Sequence, residues 1–144
     1  MHPPLFVYGT LMLGIQSRIA GYLHENSRFL GEATVPGLLY DLGRYPGLWH
    51  EPKSERLVYG HLLELIQPDE TLLALDRYEG IGTAESEVTE YRRELVKAQI
   101  NGQEVDCWCY VLTHIGDHFR EISSGDYRQY LEGNSEHWGF IGRV

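Results

Sequence analysis

The sequence predicts a small α+β domain built around a twisted sheet or barrel. Three observations support this fold class. Short apolar, β-favouring runs recur in the first half of the 144 residues, one clear helical pattern stands in the middle, and a two-residue turn motif joins two long extended runs after it. A chain of this length holds one hydrophobic core of ordinary size. We therefore expect residues 1–144 to form a single domain.

The chain begins with a short strand and a glycine turn. Leu5–Tyr8 are apolar and β-favouring, and Gly9-Thr10 follows, so we expect a buried strand that ends in a tight loop. Apolar residues at near-helical spacing from Ile15 to Leu23 predict one short helix after this loop. The predicted order is therefore strand, glycine loop, helix.

The next region predicts several short strands between Phe29 and Leu65. Glycine and proline favour turns, and polar stretches favour loops. Three such sequences separate the predicted strands: Pro36-Gly37, Tyr45-Pro46-Gly47 and Glu51–Arg56.

Two helices are predicted in the second half of the chain. Pro68 suits the first turn of a helix that runs to Tyr78 with leucines along one face, and Gly80 ends it. A final short helix is predicted from Asp126 to Leu131, because Ser124-Gly125-Asp126 supplies good capping residues.

A hairpin is predicted around Asn101-Gly102, because both positions tolerate the positive φ of a two-residue turn. Its strands are Tyr91–Ile100 and Glu104–Leu112. Pairing outward from the turn places Tyr110 opposite Arg93 and diagonal to Tyr91, all on one face. We expect this face to form one wall of a pocket, with a tyrosine hydroxyl on the substrate or on Glu79. Two tyrosines packed in the core are the alternative.

Charge and cysteine content argue against several functions. Twelve lysines and arginines stand against 21 aspartates and glutamates, a formal net charge of −9, so neither nucleic acid nor membrane is an expected partner. No apolar run approaches the roughly 20 residues of a membrane-spanning helix, and no signal-peptide pattern opens the chain. Cys107 and Cys109 alternate in an extended run, which is poor disulfide geometry. We expect a reduced, cytoplasmic protein; the oligomeric state stays open.

The turn Tyr8-Gly9-Thr10-Leu11 is one candidate functional feature. Backbone N–H groups in such a turn lack ladder partners and can converge on an anion or a carbonyl oxygen. An ordinary strand-ending turn fits the same residues.

Glu79 is a candidate acid or base, because it follows the predicted helix at its negative end. That position raises the pKa of a partly buried carboxyl group. A solvated glutamate paired with Arg77 is the alternative. Asp76, three residues earlier, is the competing carboxylate.

Tyrosine is abundant, with ten residues that could form apolar pocket walls with polar tips. Packing in the core is the alternative for most of them. A metal is not expected, since a Cys-x-Cys pair followed by His114 and His118 has no familiar zinc spacing. No nucleophile elbow is present. We expect no cofactor.

Six segments, in order, resemble the γ-glutamylcyclotransferase-like family, close to its AIG2-like and γ-glutamylamine cyclotransferase branch. The resemblance spans residues 5 to 131. The matching segments are Phe6-Val-Tyr-Gly-Thr-Leu11, Ala33–Leu42 with Tyr45-Pro-Gly47, Val58-Tyr-Gly60, Leu75-Asp-Arg-Tyr-Glu-Gly80, Tyr91–Val96 and Ser124–Arg128.

This resemblance implies a small mixed β-barrel with a pocket at one mouth. It also implies an acyltransferase- or lyase-type enzyme that closes a γ-glutamyl amine or amide to 5-oxoproline and releases the amine. Tyr8, Gly9, Thr10 and Leu11 would line the ligand site, and Glu79 would be the general acid/base. The acidic, insertion-like loop Gly82–Glu90 leaves the identity of the amine open. A noncatalytic module that binds a small molecule through the Tyr8–Leu11 loop is the alternative, and a purely structural domain is a third possibility.

Overall fold

A computed structural model describes residues 2–13, 18–43, 45–80 and 90–133. In these ranges the chain forms seven strands and four helices. The elements in chain order are β1 (Leu5–Val7), α1 (Thr10–Leu13), α2 (Arg18–Glu25), β2 (Ser27–Asp41), β3 (Pro46–His50), β4 (Leu57–Leu65), α3 (Pro68–Tyr78), β5 (Tyr91–Ile100), β6 (Gln103–Leu112), β7 (Arg120–Glu121) and α4 (Tyr127–Glu132).

The strands close into a small barrel. Their order is β1-β4-β2-β3-β6-β5, β7 pairs with β2, and the additional pairings β1–β6 and β2–β5 close the sheet. The contacts of β6 with β1 and β3 are parallel, whereas the other pairings are antiparallel. The predicted α+β class, a mixed barrel with short helices, is confirmed.

Strand β2 corrects one prediction, because Pro36-Gly37 does not end a strand. The strand runs through all 15 residues and changes partner at this dipeptide, from β4 up to Pro36 to β3 from Gly37 onward. A Cβ at Gly37 would lie 2.4 Å from the Trp49 carbonyl oxygen, so glycine permits the close approach of β3. The turn-like sequence therefore marks a switch of partner.

The helix and hairpin of the second half agree with the sequence. Helix α3 spans Pro68–Tyr78, and Gly80 follows it with a φ of +80°. Asn101 and Gly102 form the turn with φ of 52° and 77°, and Tyr110 pairs with Arg93 as predicted. At α4, the Asp126 side chain accepts a hydrogen bond from the Arg128 amide, as a helix cap does.

The N-terminal helical region differs from the prediction. A helical turn forms at Thr10–Leu13, where a loop was predicted, and the following helix runs over Arg18–Glu25. Residues 14–17, which include the predicted start at Ile15, lie outside the described residues, as do residues 81–89 of the acidic loop.

Two hydrophobic clusters occupy the two faces of the sheet. Side chains alternate along β1, so that Phe6 belongs to the cluster with α4, whereas Leu5 and Val7 belong to the cluster with α1, α2 and α3. Both cysteines are free thiols buried in the first cluster. Tyr91 and Tyr110 belong to the second cluster, beneath the helices. None of the described helices is long and apolar enough to cross a membrane.

Candidate active site

A cavity of about 480 Å³ opens where the end of β1, the end of α3 and the β5–β6 hairpin meet. It contains every site residue singled out from the sequence: Tyr8 to Leu11, Glu79, Tyr91 and Tyr110. Its full lining is Phe6, Val7, Tyr8, Gly9, Thr10, Leu11, Tyr45, Pro46, Tyr78, Glu79, Gly80, Glu90, Tyr91 and Tyr110.

The glycine turn forms one side of this cavity. β1 ends at Val7, and the first turn of α1 begins at Thr10, with the Met12 amide bonded to the Gly9 carbonyl at 3.0 Å. A Cβ at Gly9 would lie 2.8 Å from Cγ of Pro46, another lining residue. Glycine therefore lets the turn pack directly against the start of β3.

Glu79 also lines the cavity, immediately after α3. Its amide donates to the Leu75 carbonyl at 2.9 Å, which fixes the residue as the helix C-cap. Burial, followed by repulsion from Glu90 and Asp76, raises the pKa of Glu79 to about 7. No side chain in the described part of the molecule donates a hydrogen bond to its carboxylate. The group can therefore exchange protons near neutral pH.

The competing carboxylate, Asp76, and the nearby Glu94 of β5 are both paired with arginines. Asp76 accepts hydrogen bonds from Arg93 at 2.8 and 3.1 Å and from the Tyr110 hydroxyl at 2.7 Å. Glu94 forms an ion pair with Arg92 at 2.6 Å. Neither residue lines the cavity. Glu79 thus lies in the cavity without a cation partner among the described residues, whereas Asp76 and Glu94 lie outside the cavity and are paired.

The cavity tyrosines hold the wall together through their hydroxyl groups. Tyr8 donates to the Tyr110 carbonyl at 2.7 Å and accepts from the Leu48 amide at 3.1 Å. The Tyr91 hydroxyl donates to the Pro46 carbonyl at 2.7 Å. Burial raises the pKa of all three tyrosines. The Tyr91 hydroxyl donates to the Pro46 carbonyl and the Tyr110 hydroxyl donates to Asp76. Neither hydroxyl therefore donates to Glu79, which was one of the two contacts expected for them.

Two of the lining residues that were not predicted, Tyr45 and Glu90, are hydrogen-bonded to each other. The Tyr45 hydroxyl donates to Glu90 Oε1 at 2.6 Å. Burial and this carboxylate raise the pKa of Tyr45 to about 12. Tyr45 was interpreted only as part of a turn, and Glu90 only as the end of a loop. The position of Glu90, directly before a strand that enters the site, was the available clue.

The predicted absence of a metal concerns two histidines that are not part of the cavity lining. His114 and His118 pack around Phe119, with ring centroids 5.9 and 4.7 Å from it, and neither lines the cavity. Within residues 2–13, 18–43, 45–80 and 90–133, no three His, Cys, Asp or Glu side chains form a group that could hold a metal ion.

Comparisons with known proteins agree on one family. The sequence model described as "Gamma-glutamyl cyclotransferase, AIG2-like" matches residues 5–129. A protein of Vibrio cholerae serotype O1 named "Putative gamma-glutamylcyclotransferase" is 33% identical over 127 residues, which are 87% of this chain and 95% of the relative.

Solved structures show the same fold. An AIG2-like protein of Mus musculus superposes with a TM-score of 0.60 at 23% identity, with 81% of this chain and 82% of that chain covered. YkqA of Bacillus subtilis gives a TM-score of 0.69 at 22% identity; the match covers 94% of this chain but 43% of the longer YkqA chain. Because the family model covers most of the sequence, the chain belongs to the gamma-glutamyl cyclotransferase, AIG2-like family.

Proposed function

We propose that this protein converts a γ-glutamyl amine or amide into 5-oxoproline and the free amine, with Glu79 as general acid/base. One observation carries the proposal: a largely buried carboxylate with a pKa of about 7 faces the cavity without a donor from any described residue. The family supports the reaction class. The mechanism below follows from the chemistry of the substrate and the positions of these groups.

The substrate supplies its own nucleophile. Its α-amine nitrogen attacks its γ-carbonyl carbon, a carbon–nitrogen bond forms, and a five-membered lactam closes. The bond from that carbon to the leaving nitrogen then breaks. A pocket contributes by holding the glutamyl arm in the folded, reactive geometry, which removes much of the entropic cost of ring closure. No nucleophile from the enzyme is required.

Glu79 would move one proton between the two nitrogens. The ionised carboxylate accepts a proton from the attacking α-ammonium group, and the resulting acid donates it to the departing nitrogen. A carboxyl group with a pKa of about 7 suits both steps at neutral pH, because neither its charged nor its neutral form is strongly disfavoured. The carboxylate is thus regenerated after each turnover.

The turn at Gly9, Thr10 and Leu11 would bind the substrate in the cavity that Glu79 also lines. Amides in the first turn of a helix have no acceptor within that helix, so those of α1 are available to an oxygen atom in the cavity. That oxygen would belong either to the substrate carboxylate or to the oxyanion that develops on the γ-carbonyl. Tyr91 and Tyr110 would contact the substrate through their rings.

The charge of the cavity supports a neutral or cationic leaving amine. The described lining contains Glu79 and Glu90 but no lysine, arginine or histidine. A carboxylate on the leaving half would meet like charge in a partly desolvated site, which is unfavourable. We therefore propose that amines without a carboxylate are released more readily than amino acids.

A substrate panel tests the proposal. Purified protein is incubated with γ-glutamyl amides of alkylamines, diamines and amino acids and with γ-glutamyl-ε-lysine, and 5-oxoproline is measured by mass spectrometry. We expect turnover of at least one amide, with Glu79→Gln inactive on it. Absence of product across the panel, with 5-oxoproline still bound in calorimetry, would instead support the noncatalytic binding module.

A further inference from the structure

Arg93, Asp76 and Tyr110 form a polar cluster directly behind the cavity wall. Arg93 holds both carboxylate oxygens of Asp76, with Nε–Oδ1 and Nη2–Oδ2 distances of 2.8 and 3.1 Å. The Tyr110 hydroxyl adds a third hydrogen bond to Oδ1 at 2.7 Å. Asp76 therefore accepts three hydrogen bonds from side chains of two neighbouring strands, β5 and β6.

The cluster is built more firmly than an ordinary surface ion pair. The side chains of Arg93 and Asp76 are only 23% and 19% exposed, and the guanidinium carbon of Arg93 lies 4.3 Å from the centroid of the Trp108 ring. Bidentate geometry and stacking on an aromatic ring are the features for which arginine, rather than lysine, is suited. By contrast, Lys97 and Asp106 on the same hairpin are well exposed, at 63% and 66%.

The position of Asp76 links this cluster to the proposed chemistry. Asp76 lies three residues before Glu79 at the end of α3, so the two residues are neighbours on one helical face. Asp76 is one of two carboxylates whose negative charge acts on Glu79; the other is Glu90. Arg93 is the cation that opposes the first of them.

We propose that Arg93 is a positioning residue: through Asp76 it fixes the last turn of α3, and with it the Glu79 carboxylate, against the β5–β6 wall of the cavity, and it neutralises the charge of Asp76 beside Glu79. The inference rests on the proposed role of Glu79. In this proposal Arg93, a cation outside the cavity lining, sets both the position and the electrostatic environment of Glu79.

Several other titratable groups face Glu79, and the test has to separate Arg93 from them. They come from the end of β1, the loop before β3, α3 itself, β5 and β6. These groups are Tyr8, Tyr45, Asp76, Tyr78, Glu90, Tyr91, Cys109 and Tyr110. Apart from the carboxyls of Asp76 and Glu90, these groups are tyrosines and a thiol whose pKa burial raises, so they stay uncharged at neutral pH.

The experiment measures the titration of Glu79 and the pH profile of kcat/KM in a set of variants. Glutamate is labelled with ¹³C at the side-chain carboxyl, and the Glu79 resonance is assigned by its loss in Glu79→Gln. The variants are Arg93→Met, Arg93→Lys, Asp76→Asn and the double variant Arg93→Met with Asp76→Asn. Lys97→Met, which removes an exposed ion pair from the same strand, is the matched control.

The expected shifts have opposite signs. Arg93→Met leaves Asp76 as an unopposed anion, so the Glu79 titration and the acidic limb of the profile move up by roughly half a pH unit or more. Asp76→Asn removes an anion and moves both downward. The double variant returns towards the wild-type midpoint, and Arg93→Lys stays close to it because the charge remains. Lys97→Met moves neither.

Activity should fall through kcat more than through KM, because Arg93 does not line the cavity in which the substrate is proposed to bind. We expect a loss of about fivefold or more at pH 7 in Arg93→Met, with partial recovery in Arg93→Lys. Equal midpoints in wild type, Arg93→Met and Asp76→Asn would overturn the proposal. The NMR titration needs no substrate. If the protein turned over no γ-glutamyl amide, the proposed function would be refuted, but the titration would still decide whether Arg93 sets the environment of Glu79.

Discussion

Two groups of charged side chains in this protein are arranged in opposite ways. On one surface, Arg128 of α4 binds both oxygens of Glu32 at 2.7 and 3.0 Å, and its Nε also contacts Asp126 at 3.1 Å. In the cavity, Glu79 and Glu90 face each other with no described cation in the lining. The first group holds β2 and α4 together, whereas the second leaves like charges unopposed.

The pKa values of the two glutamates record this difference. Hydrogen bonds from Arg128 hold the pKa of Glu32 below its ordinary value. Burial raises that of Glu79 to about 7. Pairing an exposed carboxylate stabilises a protein only slightly, whereas burying an unpaired one costs stability. An unpaired buried carboxylate in a cavity therefore indicates a functional role, whereas a paired carboxylate on the surface indicates a structural role.

The largest expected effect comes from replacing Glu79 and Glu32, one at a time, by glutamine. Glu79→Gln should reduce turnover by about 100-fold or more, because the amide keeps the size of the side chain but cannot accept and return a proton. Steady-state kinetics with an active γ-glutamyl amide checks this. Glu32→Gln, the matched control, should leave turnover within about twofold, since Glu32 does not line the cavity. Equal losses in both variants would erase the distinction between the two groups.

The same pair of variants should show opposite effects on stability. The folded-state pKa of Glu79 exceeds its unfolded value, so the wild type loses stability as pH rises through the interval from about 4.3 to 7, and Glu79→Gln avoids that loss. At pH 8 the gain in unfolding free energy should be at most roughly 4 kcal/mol. At pH 4 it should vanish.

Glu32→Gln should instead lower stability above the unfolded pKa of the carboxyl group, and this loss should disappear as pH falls through the depressed folded pKa. The effect should be small, because the Glu32 side chain is 59% exposed. Thermal unfolding at several pH values measures both variants. The same direction of change in the two would contradict the comparison.

The glycine turn in the cavity wall gives a smaller, local test. A side chain at Gly9 would push against Pro46, which lines the cavity and accepts the Tyr91 hydroxyl bond. Gly9→Val should therefore weaken binding of 5-oxoproline by about tenfold, a loss of about 1.4 kcal/mol, in calorimetry on folded protein. Thr10→Ser, which keeps the hydroxyl that bonds to Tyr78, should bind as the wild type does. Equal binding by Gly9→Val would remove this turn from the site.

The smallest expected effect follows dialysis against a chelator. Ring closure needs proton transfer and positioning, both of which the cavity groups supply in the proposed mechanism. Activity should stay unchanged, and elemental analysis should find no stoichiometric zinc. Recovery of activity only after a metal is added would show that the acidic cavity, with Glu79 and Glu90, acts as a cation site instead.

Local sequence rules predicted the parts of the fold that local physics controls. The bounds of α3 follow from Pro68 and an apolar face, and the hairpin register follows from Asn101-Gly102. The same rules misjudged Pro36-Gly37, because whether such a dipeptide turns the chain or bends a strand depends on which strands lie beside it. A change of partner along β2 is a long-range event with no local signature.

For the candidate site, too, some features could be predicted from the sequence and others could not. The position of Glu79 at a helix end, and the resemblance of the surrounding segments, could be read from the residues alone. The choice between Asp76 and Glu79 could not. Both carboxylates belong to one helix, and only the pairing of β5 with β6 brings Arg93 and Tyr110 onto Asp76.

The sequence by itself therefore determined most of the elements, the family and the set of polar residues from which a site could be built. The tertiary structure decided which of these residues are neutralised by partners and which face the cavity without one. The physical reason is that the free energy of a buried charge depends on its three-dimensional surroundings, namely the donors, cations and solvent within a few ångströms. For Glu79, Glu90 and Asp76, those surroundings come from strands far apart in the chain.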